Sequence, residues 1–151
     1  LSLAVNEEKT RICRVPEGSF DFLGYTFGRC HSRGNGRAYL GTKPSRKSIK
    51  RICDAIRAET GRHTLTGTAE QLVKLLNRKL HGWANYFYLG PVTPAYRIVD
   101  RHANYRLRQW LCRKHQVGSK GIKRFPDRSL YDALGLIRLT RLTHDLPWAK
   151  A

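Results

Sequence analysis

Residues able to do covalent chemistry are sparse in this 151-residue chain, and their spacing does not suit catalysis. Glu7 and Glu8 are the only adjacent carboxylates. A two-metal site needs carboxylates converging from several segments, so this pair beside Lys9 reads as a solvated turn or helix end. The six histidines form no H-x-x-x-H pair, and no serine or cysteine motif accompanies them. Gly34-Asn35-Gly36 lacks the lysine and the following helix of a phosphate-binding loop. Cys13, Cys30, Cys53 and Cys112 are scattered without a C-x-x-C, and Cys30-His31 has no second donor pair to complete a zinc site. The cysteines read as free thiols of a reducing compartment. Neither a catalytic site nor a metal site is expected.

The cationic residues carry the informative pattern. Lysine and arginine total 29 against 11 acids, a formal net charge of +18. Such an excess costs self-repulsion that a polyanionic partner relieves through counterion release. With 40% hydrophobic residues the chain can still build a core, unlike a disordered basic tail. Lys43 to Arg57 holds six cations and one acid; Arg97 to Arg124 holds nine and one. The candidate contacts to phosphate are Lys47, Lys50 and Arg51, then Arg97, Arg101 and Arg108, then Lys120, Lys123 and Arg124. Phosphate contacts of this kind set affinity rather than sequence choice. Tyr86, Tyr88, Tyr96 and Tyr105 are candidates for stacking on unpaired bases, whereas Trp83 and Trp110 read as core. No apolar run approaches the roughly 18–20 residues of a membrane span, and no signal-peptide core follows the start; a cytoplasmic location is expected. The lack of any methionine, even at position 1, is expected of a piece of a longer chain.

These side chains need a scaffold that is mainly α with a small N-terminal β part. Arg11–Val15 is β-compatible, Phe20–Phe27 reads as a strand interrupted at Gly24, and Arg37–Leu40 as a strand returning after a loop over Arg29–Gly36. The period then becomes helical. Ser45 can cap a helix with Ile49, Ile52, Cys53 and Ile56 on one face. Thr68 and Gln71 form a capping box opening a second helix, with Leu72, Val73, Leu76, Leu80, Trp83 and Phe87 inward. Gly82 within it predicts a close neighbour, and Gly90-Pro91 ends that stretch. Thr93-Pro94 opens a third helix with Ile98, Val99, Ala103, Leu107 and Trp110 buried. Arg97, Arg101, Asn104 and Arg108 share its other side. Arg106 falls within the apolar arc, so either it reaches out of the core or the helix bends. A basic loop over Gln116–Pro126 and a short helix over Ser129–Leu134 follow. The expected architecture is a short antiparallel hairpin followed by a bundle of three long helices and a short C-terminal helix.

Several segments together resemble group II intron reverse transcriptases. Asn6-Glu-Glu-Lys-Thr10 followed by Phe20-Asp-Phe-Leu-Gly-Tyr25 is similar to the end of their palm, and Pro44-Ser-Arg-Lys-Ser-Ile-Lys50 to the start of their thumb. Leu76-Asn-Arg-Lys-Leu-His-Gly-Trp-Ala-Asn-Tyr86 resembles the hallmark of the maturase-specific domain, and Tyr131-Asp-Ala-Leu-Gly-Leu136 fits the family's end. The resemblance implies a palm-end, primer-grip-like unit over residues 1–42, with Phe22, Leu23 and Gly24 at the grip. It implies a thumb and maturase domain over residues 43–151. The partners implied are structured intron RNA, bound to assist splicing, and a primer–template in the intact enzyme. The fingers, the Y-x-D-D aspartates and their Mg2+ would belong to a part upstream of Leu1, so no cofactor and no polymerase activity are expected of this chain alone. Alternatives are the terminal part of an active RNA-directed DNA polymerase and a basic helical DNA-binding domain.

Overall fold

A computed structural model describes Arg14 and Leu146 together with residues 17–32 and 34–144. The expected strand at Arg11–Val15, apart from Arg14, lies outside the described residues, as do Glu7, Glu8, Cys13 and the Asn6–Thr10 motif. Three strands, β1 (Phe20–Phe22), β2 (Tyr25–His31) and β3 (Ala38–Pro44), form one antiparallel sheet in that order. The aromatic run read as one interrupted strand is in fact two. Phe22 pairs with Tyr25, leaving Leu23 and Gly24 as a two-residue turn. Both have positive φ, 49° and 83°, the backbone of a type I′ hairpin turn. The turn was hidden because leucine occupies a place usually taken by Asn or Asp. Its strain is held from outside: Tyr86 donates to the Leu23 carbonyl at 3.0 Å. The Gly24 carbonyl accepts from Ser48 Oγ at 2.8 Å and from the Ser45 backbone at 2.9 Å.

β3 runs into the first helix with only Ser45 between them. Helix α1 (Arg46–Glu59) is capped by Ser45, whose side chain accepts from the Ser48 backbone N–H. A 3-10 turn (Arg62–Thr64) leads to α2 (Ala69–Tyr86), where the Thr68/Gln71 capping box is complete. Helix α3 (Thr93–Lys114) starts one residue earlier than Thr93-Pro94 suggests, with Val92 at the N-cap. A π-helical turn (Ser129–Ala133) and a short helix α4 (Leu139–Leu142) close the described fold. Ile52 and Ile56 of α1, Leu72, Val73, Leu76 and Leu80 of α2, and Val99, Ala103, Leu107 and Trp110 of α3 make the core with Leu130, Leu136 and Leu139.

Helix α3 departs from its expected arc. Ile98 is 53% exposed, whereas Asp100 and Asn104 are buried at 6% and 8%. The reason is that α3 is covered on two sides, by α1 and by α4 with the π turn. Its buried arc is wider than one apolar stripe, and two polar residues fall inside it. Arg106 reaches out of the apolar arc. Its guanidinium reaches across to the end of α1, donating to the Thr60 hydroxyl at 2.9 Å, the Thr60 carbonyl at 3.2 Å and the Arg57 carbonyl at 3.3 Å. Burial and the neighbouring Arg113 and Arg57 charges hold its pKa below the usual arginine value. The carbonyls at a helix C-terminus compensate, being the partial negative end of the helix dipole.

Gly82 does not meet the expectation of a close neighbour: beyond its own turn of helix, a methyl group there would find no atom within 4 Å. Gly82→Ala therefore stabilises the fold by up to about 1 kcal/mol through helix propensity alone, read as a raised urea midpoint. Arg106→Ala lowers stability by about 2 kcal/mol, the scale of lost charged hydrogen bonds to buried acceptors. In the same denaturation series, Arg101→Ala stays within about 0.5 kcal/mol of the parent, as a surface change should.

Candidate nucleic-acid interface

The exposed flank of α3 and the segment that crosses it enclose a groove of about 440 Å³, lined by Arg97, Asp100, Arg101, Asn104, Tyr105 and Arg108 from the helix. Asp127, Tyr131, Arg138 and Thr140 supply the facing wall. Positions 97, 101, 104 and 108 follow the i, i+4, i+7, i+11 spacing of one helix face, so the three arginines converge as that spacing requires. The wall depends on Asp100. Its carboxylate accepts from the Leu139 backbone at 2.8 Å, the Thr140 backbone at 3.0 Å and the Thr140 hydroxyl at 2.9 Å, tying the start of α4 to α3. Burial raises the Asp100 pKa, and these bonds with the nearby Arg138 charge offset only part of that rise. The Tyr131 hydroxyl is likewise raised, chiefly by burial, while its bond from Asn104 opposes the rise. The Arg138 guanidinium lies over the Tyr131 ring, 5.4 Å from its centre.

A scan against protein-family models matches residues 49–125 to "Group II intron, maturase-specific domain", just over half of the chain. The chain belongs to this maturase family. A search of curated proteins finds no match. The matched span of the maturase domain holds α1 from Ile49 onward, α2, α3 and the basic loop, and therefore Arg97, Arg101, Arg108, Lys120, Lys123 and Arg124. Arg138, Tyr131 and Thr140 lie outside it. Sequence reasoning missed Arg138: it sits in a short irregular segment where no helical period marks a shared face.

The arginines of the groove differ in what holds them. Arg97 and Arg101 are exposed and form no ion pair among the described residues. Arg108 has a side chain only 11% exposed and is committed to two partners, donating to the Phe125 carbonyl at 2.8 Å and pairing with the Asp127 carboxylate. It ties the basic loop to α3. The loop also folds close at Gly121, whose φ of 72° suits glycine and whose missing side chain leaves room for Cys112 Sγ. Lys120, Lys123 and Arg124 all point to solvent from this loop. On α1, Lys47, Lys50 and Arg51 are exposed but line no part of the groove; Lys50 pairs with Asp54 at 3.0 Å.

The tyrosines separate in the same way. Tyr96 is buried at 1%, donates to the Ala84 and Phe87 carbonyls, and has its pKa pushed up to about 12 by burial. Stacking on a base is therefore excluded for Tyr96. Tyr105 is 54% exposed at the groove edge, and Tyr86 and Tyr88 are exposed near the end of α2. Phe22 and Leu23 project from the β1–β2 turn, 58% and 68% exposed, while Gly24 is packed against Ser48 and Phe87. Among the described residues no three His, Cys, Asp or Glu side chains gather as a metal-binding set. No helix of the described residues is long and apolar enough to cross a membrane.

Arg108→Ala leaves Asp127 and the Phe125 carbonyl without their shared donor. The loop then opens more often, and limited trypsin digestion cuts at Lys120, Lys123 or Arg124 several times faster than in the parent, with a stability loss of about 1.5–3 kcal/mol.

Proposed function

We propose that this maturase domain binds structured intron RNA and assists its splicing, with Arg97 and Arg101 of α3 as the central phosphate contacts. The observation that carries this reading is the convergence of unpaired arginines on one groove of a chain with net charge +18. Arginine forks suit phosphate oxygens better than point-charge lysines. Lys47, Lys50 and Arg51 on α1, and Lys120, Lys123 and Arg124 on the loop, extend the contact to phosphates beyond the groove. Arg108 acts by holding that loop in place. In an intact reverse transcriptase, with fingers and palm preceding this chain, the β1–β2 turn would present Phe22, Leu23 and Gly24 to the primer–template. The anchoring of that turn by Ser48 and Tyr86 supports such a fixed presentation.

Filter binding to a structured group II intron RNA tests the reading. With about six phosphates neutralised, affinity falls on the order of a thousandfold between 50 and 200 mM salt. The double change Arg97→Glu/Arg101→Glu weakens binding by at least about tenfold, roughly 1.4 kcal/mol, with unchanged helical circular dichroism. Duplex DNA of equal charge competes poorly. Equal competition by that DNA, or full affinity of the double variant, would refute the assignment of this face to RNA.

A further inference from the structure

Within the groove one buried polar atom has no partner. Asn104 is 8% exposed; its amide nitrogen donates to the Tyr131 hydroxyl at 2.7 Å, and its Oδ1 has neither a hydrogen bond nor access to water. Through its bond to Tyr131, Asn104 joins α3 to the facing wall. Beside it, one residue further along α3, the ring of Tyr105 is more than half exposed. Arg101 and Arg97 lie on the same face, about 4.5 and 10.5 Å from Asn104 along the helix axis. The groove thus offers an aromatic face at its edge and two guanidinium groups along its rim.

That combination matches a nucleotide whose base is out of a helix. Duplex RNA hides its base edges in a deep, narrow groove, whereas unpaired bases can splay out, stack on aromatic rings and bond through their edges. A groove of about 440 Å³ is of a size to take one nucleotide. We propose that this groove receives a single unpaired nucleotide of the bound RNA, its base lying on Tyr105 and its flanking phosphates on Arg97 and Arg101. The inference rests on the RNA-binding reading above and adds what part of the RNA is held.

Two RNA hairpins test it, identical except that one carries a single bulged 2-aminopurine nucleotide and the other is fully paired. Each is titrated with the full chain at one salt concentration, by anisotropy and by 2-aminopurine fluorescence. The bulged hairpin binds at least about tenfold more tightly, the scale of one base stacked on an aromatic ring, and its fluorescence is quenched on binding. Tyr105→Ala, a change at an exposed side chain, removes both the preference and the quenching while salt-dependent binding to the paired hairpin persists. Equal affinity of the parent for both hairpins, or a preference that survives Tyr105→Ala, overturns the nucleotide groove and leaves RNA binding standing. Absence of salt-dependent binding to either hairpin overturns the RNA-binding reading itself, and this inference with it.

Discussion

A buried carboxylate builds the groove. Asp100 sits inside the α3 arc, where an unpaired charge would be costly. It is tolerated because the first backbone N–H groups of α4 and the Thr140 hydroxyl converge on it. Those donors are the ones a helix start leaves unsatisfied, so both partners solve a desolvation problem at once. The consequence is geometric: the segment carrying Arg138 is drawn across α3, facing Arg97 and Arg101. Asn77 adds a second tie from α2, donating to the Gly135 carbonyl at 2.8 Å and accepting from the Ile137 backbone at 2.8 Å.

Cations hold much of this fold together, and they do so mainly through backbone oxygens rather than carboxylates. Arg106 covers the end of α1, and Arg108 grips the Phe125 carbonyl. Lys114 donates to the Leu65 and Gly67 carbonyls while lying over Trp110. Only four ion pairs occur among the described residues, two of them between neighbours four apart on one helical segment. Such exposed pairs contribute little. Along α3, Arg106, Arg108 and Lys114 satisfy carbonyls, whereas Arg97 and Arg101 form no ion pair among the described residues. Excess charge is thereby divided between structural and available groups on one helix.

What the sequence made legible follows the strength of each local signal. Ser45 and the Thr68/Gln71 pair marked helix starts because a side-chain acceptor at that spacing has one efficient use. The convergence of Arg97, Arg101 and Arg108 followed from helical periodicity. The hairpin at Leu23-Gly24 was obscured because tertiary bonds from Tyr86 and Ser48 support a turn that its own residues do not favour. The burial of Asp100 and Asn104 was invisible for another reason: it depends on partners 39 and 27 residues away whose approach has no local signature. Tyr96 failed as a stacking candidate because an aromatic ring on a wide-arc helix reads the same whether it faces solvent or two backbone carbonyls.

The groove is also composite with respect to the family. Arg97, Arg101 and Arg108 lie inside the span that matches the maturase domain, whereas Tyr131, Arg138 and Thr140 lie beyond residue 125. Charge alone attracts phosphate without regard to its context. Concave surroundings add discrimination of a different kind, by shape. In this chain the two walls of the groove reside in separate segments joined through Asp100 and Asn104. The electrostatic part can therefore persist when the wall is altered, and the shape-dependent part cannot survive loss of the bonds that seat it.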